Sequence, residues 1–299
     1  MLVGHNSRTL TPIIYSFHMP LFFVLAGYTI KIKHNCRQTI YKDFKRLIVP
    51  CIITKILISF GNCLIYQASI SQEIINIIKS LIWGNHYGDL FGIEFPSIGR
   101  IWFLDALFWT RILYRLSLKY IEEKKRLPVF SMLSIISMLL GTYNIVLPQN
   151  MDMIFICLFF VEVGHIMKEY DLFKIPWYIF VCIFTIWTYL SISKEIWISM
   201  NMRMYPGYGL CILVALVGCI CVFMFSRAIE KTFFSKILIF YGKNSLILLV
   251  MQALSANFFI AHNNTQKVLD MLIECTIVIA FVYIKEGGKY IWGMFKRNK

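Results

Sequence analysis

The sequence predicts an all-α fold, a polytopic bundle of about nine membrane-spanning helices with an N-terminal stub of a tenth. Hydrophobic residues make up 58% of the 299 positions, and the mean hydropathy is +0.66. Only 15% of the residues are charged, whereas soluble domains carry about 25%. A soluble domain of this size has too much surface to hide so many apolar residues, whereas a bilayer accepts them.

Nine apolar segments come close to the roughly 20 residues that a helix needs to cross a bilayer. The sequence Pro-Gln-Asn at 148–150 is a turn signal and separates two of these segments. With neither a repeat nor a soluble domain elsewhere, we predict a single membrane domain over 1–299. The predicted spans are 12–30, 47–66, 101–118, 130–147, 151–167, 176–193, 208–225, 237–260 and 268–284.

Lys and Arg residues are segregated between alternate loops, which predicts the orientation of the chain. With 31–46 placed in the cytoplasm, the alternating assignment puts 22 of the 30 Lys and Arg residues in cytoplasmic loops, as the positive-inside rule requires. The basic tail 285–299 is then cytoplasmic, and 67–99 is an extracytoplasmic loop with an amphipathic helix over 72–83. Orientation therefore explains the net charge of +14, and we expect no nucleic-acid partner.

The first residues are not typical of a signal peptide, because neither a charged nor an apolar region precedes His5. The residues before His5 are too few to span a bilayer, and they are typical of the last turn of a membrane helix. We expect either an extracytoplasmic N-terminus or a chain that begins inside its first membrane helix.

The nine cysteines are scattered through the apolar segments. No two of them have the spacing of a zinc site or a redox motif. We interpret them as small packing residues and predict no metal, no disulfide framework and no bound cofactor.

Ionisable side chains inside a membrane are costly, so they are the first functional candidates. His5 has the strongest chemical logic, because a neutral imidazole can take a proton from a hydroxyl. The alternative is a helix-end histidine bonded to a carbonyl or a headgroup. His18, Asp105 and Glu162 could line a pocket, but they could equally be a helix cap or interhelical hydrogen-bonding groups. Trp102 lies on the same helix face as Asp105.

Other charged residues leave several interpretations open. The basic stretch 31–46 could bind lipid headgroups, hold the phosphates of a cytoplasmic donor, or anchor the chain. We interpret His165 as interfacial. Lys55 has little weight as a site residue, because its long side chain could reach the membrane surface. The glycine-rich segment 84–92 could face a sugar or pack at the interface.

Five motifs in order resemble the membrane-bound acyltransferase 3 family, closest to its fucose 4-O-acetylase-like and cell-surface polysaccharide O-acyltransferase branch. The run Ser-Phe-His-Met-Pro-Leu-Phe-Phe-Val-Leu-Ala-Gly-Tyr at 16–28 is the most specific. The others are Gly-His at 4–5, Lys-Asp-Phe-Lys-Arg-Leu-Ile-Val-Pro at 42–50, Ile-Trp-Phe-Leu-Asp-Ala-Leu-Phe at 101–108 and Phe-Tyr-Gly-Lys-Asn-Ser-Leu at 240–246.

The resemblance implies a ten-helix fold that takes acyl groups from acyl-coenzyme A at the cytoplasmic side and passes them to glycan hydroxyls. By analogy, His5 is the catalytic base. Lys42, Lys45 and Arg46 correspond to the basic cluster that handles the donor. In the late motif, Asn244 and Ser245 are further pocket candidates.

The sequence departs from the family pattern at three places. The basic residue about eleven positions before the family's essential histidine has no counterpart here. Gln252 stands where the late motif is usually followed by a histidine, and Asp43 stands where the family often has a second basic residue.

The function predicted from this resemblance is an O-acyltransferase of the bacterial inner membrane, most specifically an O-acetyltransferase of capsule, exopolysaccharide or lipopolysaccharide. Its partners would be membrane lipids, acetyl-CoA or another acyl-CoA as co-substrate, and a surface glycan as acceptor. The alternatives are a transporter or flippase of polysaccharide or lipid-linked sugar, and an inactive acyltransferase that lacks most of its first helix.

Overall fold

The computed structural model describes residues 11–30, 36–84, 86–90, 92–99, 101–170, 176–193, 196–258 and 272–283. They form a helical bundle, so the all-α class is confirmed. The helices are α1 (Thr11–Tyr28), α2 (Cys36–Asp43), α3 (Val49–Ile65), α4 (Ile70–Trp83), α5 (Trp102–Tyr120), α6 (Glu123–Thr142), α7 (Met151–Glu169), α8 (Trp177–Ser193), α9 (Gly209–Ile229), α10 (Phe233–Lys243), α11 (Ser245–Phe258) and α12 (Leu272–Tyr283).

The number of spanning helices stays a prediction. Within the described residues, three helices are both long and apolar enough to cross a membrane: Arg37–Ile65, Pro148–Glu169 and Gly209–Ile229. The helices α1, α8 and α12 are apolar but shorter. The helices α5 and α6 carry several charged residues where they approach each other, which lowers their mean hydropathy below that of a typical span.

A π-helical turn at Phe44–Ile48 joins α2 to α3 into one continuous helix. The N–H of Val49 donates to the carbonyl of Phe44, five residues back. Pro50 explains the position of this turn, because proline lacks an N–H and its ring crowds the carbonyl four residues earlier. The wider turn relieves that conflict without breaking the helix.

The predicted span 237–260 is not a single helix. It divides at Asn244 into α10 and α11, which meet at an angle of 69°. Asn244 donates from its side-chain amide to the carbonyl of Phe240 (2.9 Å), and its own carbonyl accepts from Ile247 and Leu248. Asparagine favours this position because it begins a helix better than it continues one.

The loop predicted over 67–99 contains the amphipathic helix, which is confirmed as α4. After the glycine-rich segment begins, the loop forms a short antiparallel hairpin of β1 (Gly88–Leu90) and β2 (Ile93–Phe95). Trp83 stacks on Phe95 with ring centroids 4.6 Å apart, which fixes the hairpin against the end of α4.

The centre of the bundle is a very close contact between α1 and α7. A Cβ atom at Gly27 would lie 1.9 Å from the carbonyl oxygen of Val161, and one at Gly164 would lie 1.9 Å from that of Val24. The two glycines therefore let each backbone lie against the other, as small residues do between membrane helices. Around this contact, α7 also packs on α5 and α6, and α1 packs on α8 and α9.

We predict that Gly27→Ala and Gly164→Ala each destabilise the protein by about 1–3 kcal/mol or more, because the added methyl group meets backbone rather than a movable side chain. Thermal unfolding in detergent measures the effect. Gly209→Ala is the control, since a Cβ atom there meets nothing within 4 Å. Equal melting temperatures for all three variants would contradict the close contact.

Candidate functional site

The carboxylate of Asp43 organises a basic cluster at one end of the bundle. Arg115 donates to its Oδ2, and Arg111 Nη2 lies 3.4 Å from its Oδ1. Both arginines are on one face of α5, four residues apart. The exposed residues Lys42, Lys45 and Arg46 flank Asp43 in the chain. We call these five cations and Asp43 the basic cluster, and its end of the bundle the basic end.

Lys55 is fully buried, and the expectation that it reaches the membrane surface is wrong. Its Nζ lies 3.9 Å from Asp105 Oδ2 and donates to the carbonyl of Ser80 at 3.2 Å. Cys51, one turn earlier on α3, donates from its thiol to Asp105 Oδ1 at 3.4 Å. The sequence-predicted candidate Asp105 is therefore half of a buried ion pair. An ionised group inside a membrane needs such a partner.

The C-terminus of α4 supplies the rest of the environment of Lys55. The last carbonyls of a helix lack partners within the helix and carry partial negative charge. Lys55 takes the carbonyl of Ser80, and Gln149 Nε2 donates to those of Leu81 and Ile82, each at 2.7 Å. The ammonium group is therefore held between a carboxylate and a helix C-terminus.

His18 lies in the same half of the bundle as Asp105. Its Nδ1 is 2.9 Å from the carbonyl of Ile14. Because a carbonyl only accepts, Nδ1 carries the proton and Nε2 is the basic nitrogen of the neutral ring. The ring of Tyr15 lies 4.9 Å from that of His18 and 6.2 Å from that of Trp197. His18 is thus a pre-oriented acceptor beside aromatic side chains.

The candidate Trp102 is buried at the start of α5, next to Phe103. Phe103 in turn contacts Phe22 and Phe23 of α1, with ring centroids 5.0 and 5.4 Å apart. Since Phe22 is one turn from His18, the α1–α5 contact places His18, Trp102 and Asp105 in one region.

Glu162 belongs to a separate polar group nearer the basic end. Tyr114 donates to its Oε2 at 2.7 Å, and Arg126 Nε lies 3.6 Å from its Oε1. His165, one turn further along α7, lies 3.3 Å from Glu169 through Nε2. Its other nitrogen, Nδ1, is buried and has no hydrogen-bond partner among the described residues. Glu162 thus ties α5, α6 and α7 together.

The end opposite the basic end carries a further buried ion pair. Arg203 Nε lies 2.8 Å from Asp152 Oδ2 at the start of α7. Nearby, His86 Nδ1 lies 2.6 Å from the carbonyl of Tyr87, and its Nε2 lies 3.1 Å from that of Asn201. Burial, and then the charge of Arg203, lower the pKa of His86 from its ordinary value, and the two carbonyls partly oppose this shift.

The remaining candidates lie apart from these groups. Asn244 is at the bend between α10 and α11, and Ser245 is exposed beside it. His5 lies outside the described residues, as does the tail 285–299. Within the described part of the chain, no group of three or more His, Cys, Asp or Glu side chains could hold a metal ion.

Sequence reasoning missed Lys55, the two arginines on Asp43, and the pair Asp152–Arg203. The sequence did contain one signal that could have predicted the pairing of Lys55. Lys55 and Asp105 are unlike charges in consecutive apolar segments, and a membrane favours pairing such groups.

A family model described as an acyltransferase domain matches residues 2–285. No curated protein and no solved structure matches the chain.

We predict that Lys55→Met destabilises the protein by about 3–5 kcal/mol, because it removes the cation beside the buried carboxylate of Asp105. Adding Asp105→Asn to this variant should recover much of the loss, because a neutral amide then replaces the unpaired buried carboxylate. Thermal unfolding of the single and double variants measures the coupling. Lys79→Met, on the partly exposed side of α4, is the control, and additive effects of Lys55→Met and Asp105→Asn would contradict the pairing.

Proposed function

This chain belongs to the acyltransferase 3 family of membrane proteins, and on that premise we propose that it is an O-acetyltransferase of a bacterial cell-surface polysaccharide. It would act in the inner membrane, with the basic end and the C-terminus in the cytoplasm. The fucose 4-O-acetylase-like branch is the part of the family that its motifs resemble. The donor would be acetyl-CoA or another acyl-CoA, and the group transferred would be an acyl group other than an aminoacyl group.

The basic cluster is the observation that carries this proposal. Coenzyme A presents phosphates, which bind best to arginines held in a fixed orientation. Asp43 fixes Arg111 and Arg115 in this way, while Lys42, Lys45 and Arg46 remain exposed beside them. Asp43 stands where the family often has a basic residue. Instead of a positive charge of its own, it orients the guanidinium groups of Arg111 and Arg115.

The proposed reaction is transfer of an acyl group from sulfur to oxygen. His5 would take the proton of a sugar hydroxyl, whose oxygen attacks the thioester carbonyl carbon. The C–S bond then breaks, and coenzyme A leaves as a thiolate that takes up a proton. His18 supports acceptor binding, because the aromatic side chains beside it suit the apolar face of a sugar.

We predict that Arg111→Gln raises the KM for acetyl-CoA by roughly tenfold or more, because a charge-assisted hydrogen bond contributes about 1.5–3 kcal/mol. The measurement is acetyl transfer by the purified protein at varied donor concentration. Lys124→Gln removes an exposed charge from the same end without touching Asp43 and should leave the KM unchanged. Equal KM values for both variants would remove the basic cluster from donor binding.

We predict that His5→Ala abolishes the ester acetate on surface glycan, because no base then activates the hydroxyl. The measurement compares glycan from a deletion strain complemented with wild type or variant, at equal protein abundance. Unchanged acetate in the variant would refute the role of His5. In the deletion strain itself, exported glycan without acetate indicates the transferase, and glycan trapped inside the cell indicates a transporter.

A further inference from the structure

The helix α4 turns its apolar side away from the protein. Ile70, Ile74, Ile78 and Ile82 recur every four residues and therefore lie on one face of the helix. Between 52% and 69% of each of these side chains is exposed. In a surface helix of a soluble protein, this stripe would face the core.

The side of α4 that faces the bundle carries polar side chains beside Trp83. Ser80 and Trp83 are buried, and the carbonyl of Ser80 accepts from Lys55. Nearer the start of the helix, Glu73 accepts from the side-chain amide of Asn62 on α3 at 3.4 Å. The amphipathicity of α4 is thus inverted relative to a water-exposed helix, and it suits a helix whose outer surroundings are hydrocarbon.

We propose that α4 lies in the leaflet at the end opposite the basic end, antiparallel to the last turns of α3, with its isoleucine face against the acyl chains of that leaflet. The contacts Asn62–Glu73 and Lys55–Ser80 fix this antiparallel arrangement, because they match positions seven residues apart on both helices. The link at 66–69 keeps α4 at the end of α3. The neighbouring helix α3 also exposes apolar residues, Phe60, Leu64 and Ile65.

The partner of this surface is the bilayer rather than a second copy of the chain. The helix Arg37–Ile65, which contains α3, is long and apolar enough to cross a membrane, and α4 packs beside it, so the hydrocarbon around α3 also covers the outer face of α4. The bilayer then holds α4 against the bundle, and through Ser80 it holds the partner of Lys55 in place. This inference does not depend on the proposed acyl transfer.

Photo-crosslinking tests the proposal directly. Benzoylphenylalanine is introduced in place of Ile78, and in a second variant in place of Glu94, an exposed residue of the hairpin. The full chain is reconstituted in vesicles of phosphatidylethanolamine and phosphatidylglycerol and irradiated. By mass spectrometry, we expect phospholipid adducts when the probe is at position 78 and no phospholipid adduct when it is at position 94. Adducts between two copies of the chain at 78, or no adduct at 78, would overturn the proposal.

Charge substitution gives a second measurement on the same face. Ile78→Lys should lower the melting temperature in vesicles, because it brings an ammonium group into hydrocarbon, whereas Ile78→Leu should leave it unchanged. Equal melting temperatures for the two variants would place the isoleucine face in water and overturn the proposal.

Discussion

The close approach of α1 and α7 at Gly27 and Gly164 is the contact on which the rest of the bundle depends. Lipid tails are as apolar as the helices, so helices in a bilayer associate through van der Waals contact rather than by escape from water. Each of these glycines lies against a carbonyl of the other helix. Because α7 also packs on α5 and α6, and α1 on α8 and α9, this one contact sets the position of both groups of helices.

The polar side chains of the interior follow from the same constraint. Inside a membrane, charges are stabilised in opposite pairs or at helix ends. Four buried carboxylates of the described residues are paired in this way, at different depths: Asp43 with Arg115, Asp105 with Lys55, Glu162 with Arg126, and Asp152 with Arg203. Each of these pairs joins residues that are distant in the chain, so the pairs cross-link the bundle.

The helical class and most helix positions could be predicted from the sequence, because long apolar segments have few alternatives in a bilayer. The buried polar candidates Asp105 and Glu162 could also be predicted, because they are ionisable groups inside such segments. Their partners could not. The contact of Lys55 with Ser80 depends on how α4 folds back on α3, and that of Tyr114 with Glu162 depends on helix packing across 48 residues. The bend at Asn244 was not predicted, because the apolar residues on both sides of it resemble one continuous membrane span.

The π-turn decides which side chains of the α2–α3 helix meet α5. Lys55 follows Asp43 by twelve residues, which in an unbroken α-helix would point the two side chains about 120° apart. One residue absorbed in the π-turn reduces this difference to about 20°. Asp43 and Lys55 therefore point to the same side of the α2–α3 helix, which they would not do in an unbroken α-helix, and both contact α5. Pro50, which favours the turn, thus sets the angular relation between the basic end and the buried pair.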